Sequence, residues 1–258
     1  MSWSASFFLG SAARFSPFTQ LIHRQVSLES FSMHVFKVLI CSIALLMGRT
    51  GVIRAEVKAE PLAKPAPSTV SAPLSALLEN QGWQILSDDG KVLLNIWLRK
   101  EVKGSSKPAG PKGNILFPFL SEGEFLGVVE VVGHVGDYRD QQISPGVFTF
   151  RYGVQPINGD HLGASPYRDF GLLIPAKTDQ KPELLVRKNL EHASAEAAGT
   201  SHPAIMMFLA PEAGGKAGQV VRDDANDRNS VILPLNILSG SEKSAVMIQW
   251  IVTGRAPV

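Results

Sequence analysis

The chain has 258 residues, of which 45% are hydrophobic and 19% charged, with 25 Lys and Arg against 23 Asp and Glu. That content excludes a wholly disordered chain, and a net charge of +2 gives no electrostatic case for nucleic acid. The single Cys, Cys41, excludes a disulfide framework and any Cys₂ or Cys₄ zinc site.

From Met33 the chain has the order of a secretory signal peptide. Met33 to Lys37 is weakly basic, Val38 to Met47 is an uncharged apolar run, and Gly48 to Arg54 leads to Ala55 before Glu56. The apolar run is too short for a bilayer span, which needs about 20 residues. Cleavage after Ala55 places Ile53 where a small residue is preferred, so the cut site is less well defined than the run. Residues 1–32 then read as a gene-model extension or a disordered leader. An organelle transit peptide is the alternative, because the stretch is Ser-rich and acid-poor. Cys41 is not a lipidation site, since Ile40 before it is not small. Residues 1–55 carry Arg14, Arg24, Lys37, Arg49 and Arg54 against Glu29, so the remainder has 20 bases against 22 acids and no Cys. A Cys-free chain suits an oxidising compartment. The expected location is therefore periplasmic or extracellular, with no membrane span after signal removal.

Pro61, Pro65, Pro67 and Pro73 mark residues 56–82 as a Pro/Ala-rich tether, with a short helical turn at Leu74 to Asn80. Residues 83–258 read as a single domain. Trp83 to Leu86 and Lys91 to Val102 flank Ser87-Asp88-Asp89-Gly90, a tight-turn signal that predicts a hairpin. Val92, Leu94, Ile96 and Leu98 share one face of its second arm. Lys103 to Gly113 has no apolar periodicity and reads as a solvated connector, with a basic binding loop as the alternative. Asn114 to Leu120 is expected as a strand. Glu124 to Gly133 is expected as a strand covered on both faces, because only Glu130 interrupts its apolar run. Val147 to Val154 and Phe170 to Ile174 follow as strands. Pro182 to Ala198 predicts the one helix, with Pro182 at its first position, a Glu183–Arg187 pair, and Gly199 at its end. Ala204 to Leu209, Val231 to Leu235 and Ala245 to Thr253 close the body, with a Gly- and Asp-rich loop over 210–230. About nine short strands and one helix predict an all-β fold, mainly an antiparallel β-sandwich.

No GxSxG, HExxH, Walker or GxGxxG string is present, and Asp169-Phe170-Gly171 lacks the other kinase motifs. Asp223 to Asn229 fails as a calcium loop of the EF-hand type, because Arg228 and Leu235 stand where ligands are needed. His192 and His202 read as surface residues. One pattern recurs. His134-Val135-Gly136-Asp137-Tyr138-Arg139-Asp140 is echoed by His161-Leu162-Gly163-Ala164-Ser165-Pro166-Tyr167-Arg168-Asp169, with Asp160 before the second His. A short strand at Tyr138 to Ile143 would bring both His loops to one rim. His134, Tyr138, Arg139, Asp160, His161, Tyr167 and Arg168 would then be the candidate ligand-binding residues. His134 and His161 are the alternative metal ligands of a copper-type protein, with Met206 and Met207 as soft outside candidates. The bland alternative is two similar turns that each launch a strand.

The stretch from Tyr138 to Pro175, with the string Ile-Ser-Pro-Gly-Val-Phe-Thr-Phe-Arg-Tyr-Gly at 143–153, resembles a family of uncharacterised exported bacterial proteins with β-sandwich modules. The likeness covers about a fifth of the chain and implies export but no activity, so no site residue is carried over. The expected function is that of an exported, non-catalytic binding or envelope-interaction protein. It implies no cofactor, and its partner would be a small molecule, a glycan or another envelope protein. A periplasmic metal-handling protein and a hydrolase with a dispersed site are the alternatives.

Overall fold

Apolar residues that recur every second position need cover, and in this chain the cover comes from one sheet curling over itself. The computed structural model describes residues 57–157, 161, 163 and 165–256. The proposed extension and signal peptide lie outside them. Among the described residues there are thirteen strands, which we label in chain order: β1 Lys58–Leu62, β2 Gly82–Leu86, β3 Val92–Leu98, β4 Val102–Lys103, β5 Phe125–Val131, β6 Val135–Gly136, β7 Gln142–Ile143, β8 Gly146–Val154, β9 Asp169–Pro175, β10 Ala204–Leu209, β11 Val220–Asp223, β12 Arg228–Ser239 and β13 Glu242–Thr253. Two helices are described, α1 Ala72–Ser75 and α2 Arg187–Ala198.

The all-β expectation holds. The architecture differs from a nine-strand sandwich: eleven strands form one sheet, curled as a half-barrel, in the order β1-β2-β3-β5-β8-β9-β10-β13-β12-β11, with β4 off that path. Every neighbour pair along the path is antiparallel, and β4 joins β12 in parallel at Val102↔Ile237. The two ends of the sheet approach each other. Gly218, just before β11, lies so close to the Trp83 ring of β2 that a Cβ there would overlap it, and its φ of +79° suits glycine alone. The enclosed face carries the main core, with Ile85, Leu94, Ile96, Val129, Phe150, Phe208, Leu233 and Trp250. Phe150 stacks on Trp250 at 4.5 Å between ring centres and meets Phe208 edge-on at 5.8 Å. Such pairs contribute about 0.5–1.5 kcal/mol beyond their buried area.

Two smaller cores cover the opposite face. Leu190 of α2 packs with Phe170, Leu172, Ile174 and Met207. Val70, Leu74 and Leu78 pack on Trp97, Phe125 and Val128. This second patch corrects the tether expectation. Residues 57–82 belong to the folded body because their few apolar residues are spaced to meet it. Val57 is buried, Lys58–Leu62 pairs with β2, and the Trp97 indole donates to the Lys64 carbonyl at 2.7 Å. Pro61 is tolerated because β1 is an edge strand.

The hairpin at Ser87–Gly90, the doubly covered β5, and strands β8, β9 and β10 lie where the alternation predicts. Asn114 to Leu120 is not a strand. The amides of Leu116 and Phe117 donate to the buried Asp169 carboxylate at 2.6 and 2.9 Å, so they are not free for a ladder. The 210–230 loop contains β11, which pairs with the start of β12.

Arg151 explains why the helix starts at Arg187 rather than Pro182. This fully buried guanidinium forms a two-point pair with Asp179, at 2.6 and 2.9 Å. Its remaining N–H groups donate to the carbonyls of Gly123, Lys181 and Glu183. Those carbonyls are spent on Arg151, so the chain from 181 to 185 stays non-helical. Arg187 consequently pairs with Glu122 at 2.8 Å and with Glu191, not with Glu183. Gly199 ends α2 in the left-handed conformation, as expected. Removing one partner of such a pair leaves a buried charge uncompensated. Arg151→Met should therefore cost about 3–5 kcal/mol in urea unfolding and make 181–186 an early site of proteolysis. A loss under about 1 kcal/mol would show the pair to be dispensable.

Candidate functional site

The structure separates the two His loops. The inserted segment is not one short strand but a closed hairpin, β6 with β7, in register Val135↔Ile143 and Gly136↔Gln142. It adds two reversals instead of one. His134 therefore lies on the connection entering β8 at Gly146, and His161 on the connection leaving it after Val154. Nine residues of β8 lie between these ends, roughly 26 Å at about 3.3 Å per residue. The shared rim and the paired His134–His161 metal site are both corrected by this register. Among the described residues no group of three or more His, Cys, Asp and Glu side chains is placed to hold a metal ion. Met206 and Met207 are buried in separate cores on opposite sheet faces.

The two strings also differ in what their residues do. Tyr138 is buried, and Arg228 Nη1 donates to its hydroxyl at 3.2 Å. Burial raises the Tyr138 hydroxyl above its ordinary pKa, with Arg228 acting against it. Arg139 and Asp140 are exposed. In the second string Tyr167 is half-buried against the main core, and Arg168 donates through Nε to the Gln155 carbonyl at 2.6 Å. Asp169, the counterpart of Asp140, is fully buried and receives the Tyr152 hydroxyl at 2.5 Å. His161 is half-buried, and Asp160 lies outside the described residues. Arg139, Tyr167 and Arg168 thus do not gather around His134.

What does gather there is a cleft of about 680 Å³ built from three distant loops. The β6–β7 hairpin contributes His134, Asp140 and Gln142, the β11–β12 turn contributes Asn226 and Asp227, and the chain after β13 contributes Arg255. Asp137 fixes the hairpin. Its buried carboxylate accepts the amides of Arg139, Gln141 and Ile205, at 2.8 to 3.0 Å, and the Gln141 side chain. The Tyr138 backbone continues the tie, donating to Ile205 O and accepting from the Ala256 amide, each at 2.8 Å. On the facing wall Arg228 Nη2 meets Asp223 at 2.6 Å, and Asn226 caps Asp223. The two non-glycine residues with positive φ among the described residues, Asp140 (63°) and Asp227 (49°), both line this cleft. Asp tolerates that conformation better than most side chains. The charges are paired within the protein: Asp140 with Arg255 at 3.1 Å, and Asp227 with Arg222. The sequence signal for the second wall was the Asp- and Asn-rich run 223–229. Its meeting with the first His loop depends on β12 and β13 pairing, which no local pattern discloses.

A second cleft of about 850 Å³ lies between the ends of β3 and β5 and residues 182–184. Arg99 and Glu124 line it as a buried pair at 2.6 Å, beside Lys103 and Leu184. Burial holds the Glu124 carboxyl above its ordinary pKa, with Arg99 acting against it.

Comparison with known proteins finds no matching family model, no similar curated protein and no similar solved structure.

The two carboxyls have opposite linkage. Arg228 and Asn226 hold Asp223 below its usual value, so its contribution to stability is present above about pH 3.9 and is lost as pH falls through the lower folded pKa. Glu124 has a raised folded pKa, so its ionisation opposes folding, and that opposition fades as pH falls through the raised value towards about 4.3. A carbon-detected NMR titration should place Asp223 below, and Glu124 above, those reference values. The reverse order would refute the assignment of partners.

Proposed function

We propose that the chain is an exported, non-catalytic binding protein whose loop cleft takes an uncharged, hydroxyl-rich ligand such as a glycan. The observation that carries this reading is the pairing of charge around the cleft. Asp140 and Asp227 are each matched by an arginine, and the buried Asp137 carboxylate is taken up by protein N–H groups, so no carboxylate lining the cleft is left without a protein partner. His134, Gln142, Asn226 and Thr253 remain as a mixed set of donors and acceptors, the kind that hydroxyl groups satisfy. Asp137 and the Tyr138–Arg228 pair hold the three loops before any ligand arrives, which lowers the ordering cost of binding. Export is supported by the basic, apolar and small-residue order at 33–55, by the Cys-free remainder, and by the resemblance carried by Ile143 to Gly153. No helix among the described residues is long and apolar enough to cross a membrane.

His134 and Gln142 are exposed. Replacing both with Ala should weaken binding to a neutral oligosaccharide at least tenfold in calorimetry, with stability changed by less than about 0.5 kcal/mol. If no neutral saccharide in a broad panel binds the folded protein, the glycan reading is lost. Export is tested separately. Sequencing the N-terminus of protein from the native cell should find a start near Glu56, and an intact Met1 would exclude cleavage.

A further inference from the structure

The two buried arginines differ in how far their donors are used. Arg151 has acceptors for all of its N–H groups. Arg99, 7% exposed, donates only through Nη1, to Glu124 Oε1 at 2.6 Å and more weakly to Phe125 O at 3.4 Å. Its Nε is buried without a partner, and no protein acceptor meets its Nη2. Nε and Nη2 form one edge of the guanidinium, the two parallel donors that a carboxylate matches with its two oxygens. An unmade bond at a buried donor is expensive, and this one belongs to a side chain that lines the 850 Å³ cleft.

The rest of the cleft adds a second character. Lys103 is exposed beside it, and Ser105 and Ser121 bring hydroxyls. Leu77, Pro182 and Leu184 supply an apolar wall, and Leu184 stays 53% exposed in a body that buries most of its leucines. Glu124 already uses Nη1, so it neutralises Arg99 without pairing the Nε–Nη2 edge.

We propose that this cleft is a binding site for an organic carboxylate with an apolar body, seated with its carboxylate on the Nε–Nη2 edge of Arg99 and its apolar part against Leu184. It is separate from the loop cleft and does not rest on the glycan reading.

The test is NMR titration of the full chain, labelled at arginine, with octanoate, acetate, inorganic phosphate and octylamine. Octanoate should shift the Arg99 Nε–H resonance saturably and leave Arg151 unmoved. Acetate should bind more weakly because it lacks the apolar part, and octylamine should leave Arg99 unshifted. Arg99→Lys should abolish octanoate binding measured by calorimetry. Because that change touches a buried pair and could prevent folding, two exposed variants back it up. Lys103→Ala and Leu184→Asp should each weaken octanoate binding about tenfold in a protein of unchanged melting temperature. Phosphate binding as tightly as octanoate would overturn the proposal, as would octanoate shifts that bypass Arg99 or affinity untouched by both exposed variants.

Discussion

A charge at the centre of a sheet with no water around it must be matched within the protein, and Arg151 imposes that demand here. It sits in β8, the fifth strand along an order of ten, with no exposed surface. Asp179 supplies the counter-charge, and Thr149 donates to the same carboxylate at 2.5 Å. The guanidinium also takes carbonyls from Gly123 and from residues 181 and 183, so the turn at Gly123 and the segment 179–183 meet on one side chain of β8. Gly123 is part of the constraint. Its φ is +85°, and a Cβ there would run into the Leu185 backbone. The irregular stretch 181–186 and the position at which α2 begins both follow from this meeting. So does the cover that α2 gives to Phe170, Leu172 and Ile174.

Buried aspartates repeat the same device for the loops. Asp137 collects amides from its own turn and from Ile205, and Asp169 collects those of Leu116 and Phe117 together with the Tyr152 hydroxyl. Burial, with the adjacent Asp169 carboxylate, pushes that hydroxyl well above the usual tyrosine range. Tyr152 therefore remains a donor to Asp169 at any physiological pH. A carboxylate that accepts two or three backbone N–H bonds replaces a stretch of strand ladder, and the loops it organises can be irregular and still rigid.

These devices separate what the residues disclose from what they hide. Alternation in Val92–Leu98 and Gly146–Val154 is local, so both strands and their faces are legible. The Asp-Gly turn before Lys91 is legible for the same reason. The failures at 57–82, 114–120 and 182–186 share a different cause. In each, a side chain far along the chain captures the backbone: Trp97 at Lys64, Asp169 at Leu116 and Phe117, Arg151 at Lys181 and Glu183. The recurring His-aliphatic-Gly string misleads for a related reason. Its two aspartates, Asp140 and Asp169, follow the same Tyr-Arg pair but have opposite burial. Half of the loop cleft was legible as His134 and its turn. The other half, Asn226 and Asp227, stood out only as a polar run without a purpose.

The sheet itself explains why both clefts lie at loop ends. Its enclosed face is filled by Phe150, Phe208, Trp250 and their neighbours, and the other face is covered by α2 and by residues 70–78. Both clefts accordingly open where the chain leaves the strands. There the two clefts differ in how far they are satisfied. At the loop cleft every described carboxylate has a cationic or amide partner. At the Arg99 cleft one edge of a buried guanidinium has none. A protein that spends every donor of Arg151 on its own backbone, yet leaves the Nε–Nη2 edge of Arg99 unpaired beside exposed Leu184, has one arginine committed to the fold and another with hydrogen-bonding capacity for something else.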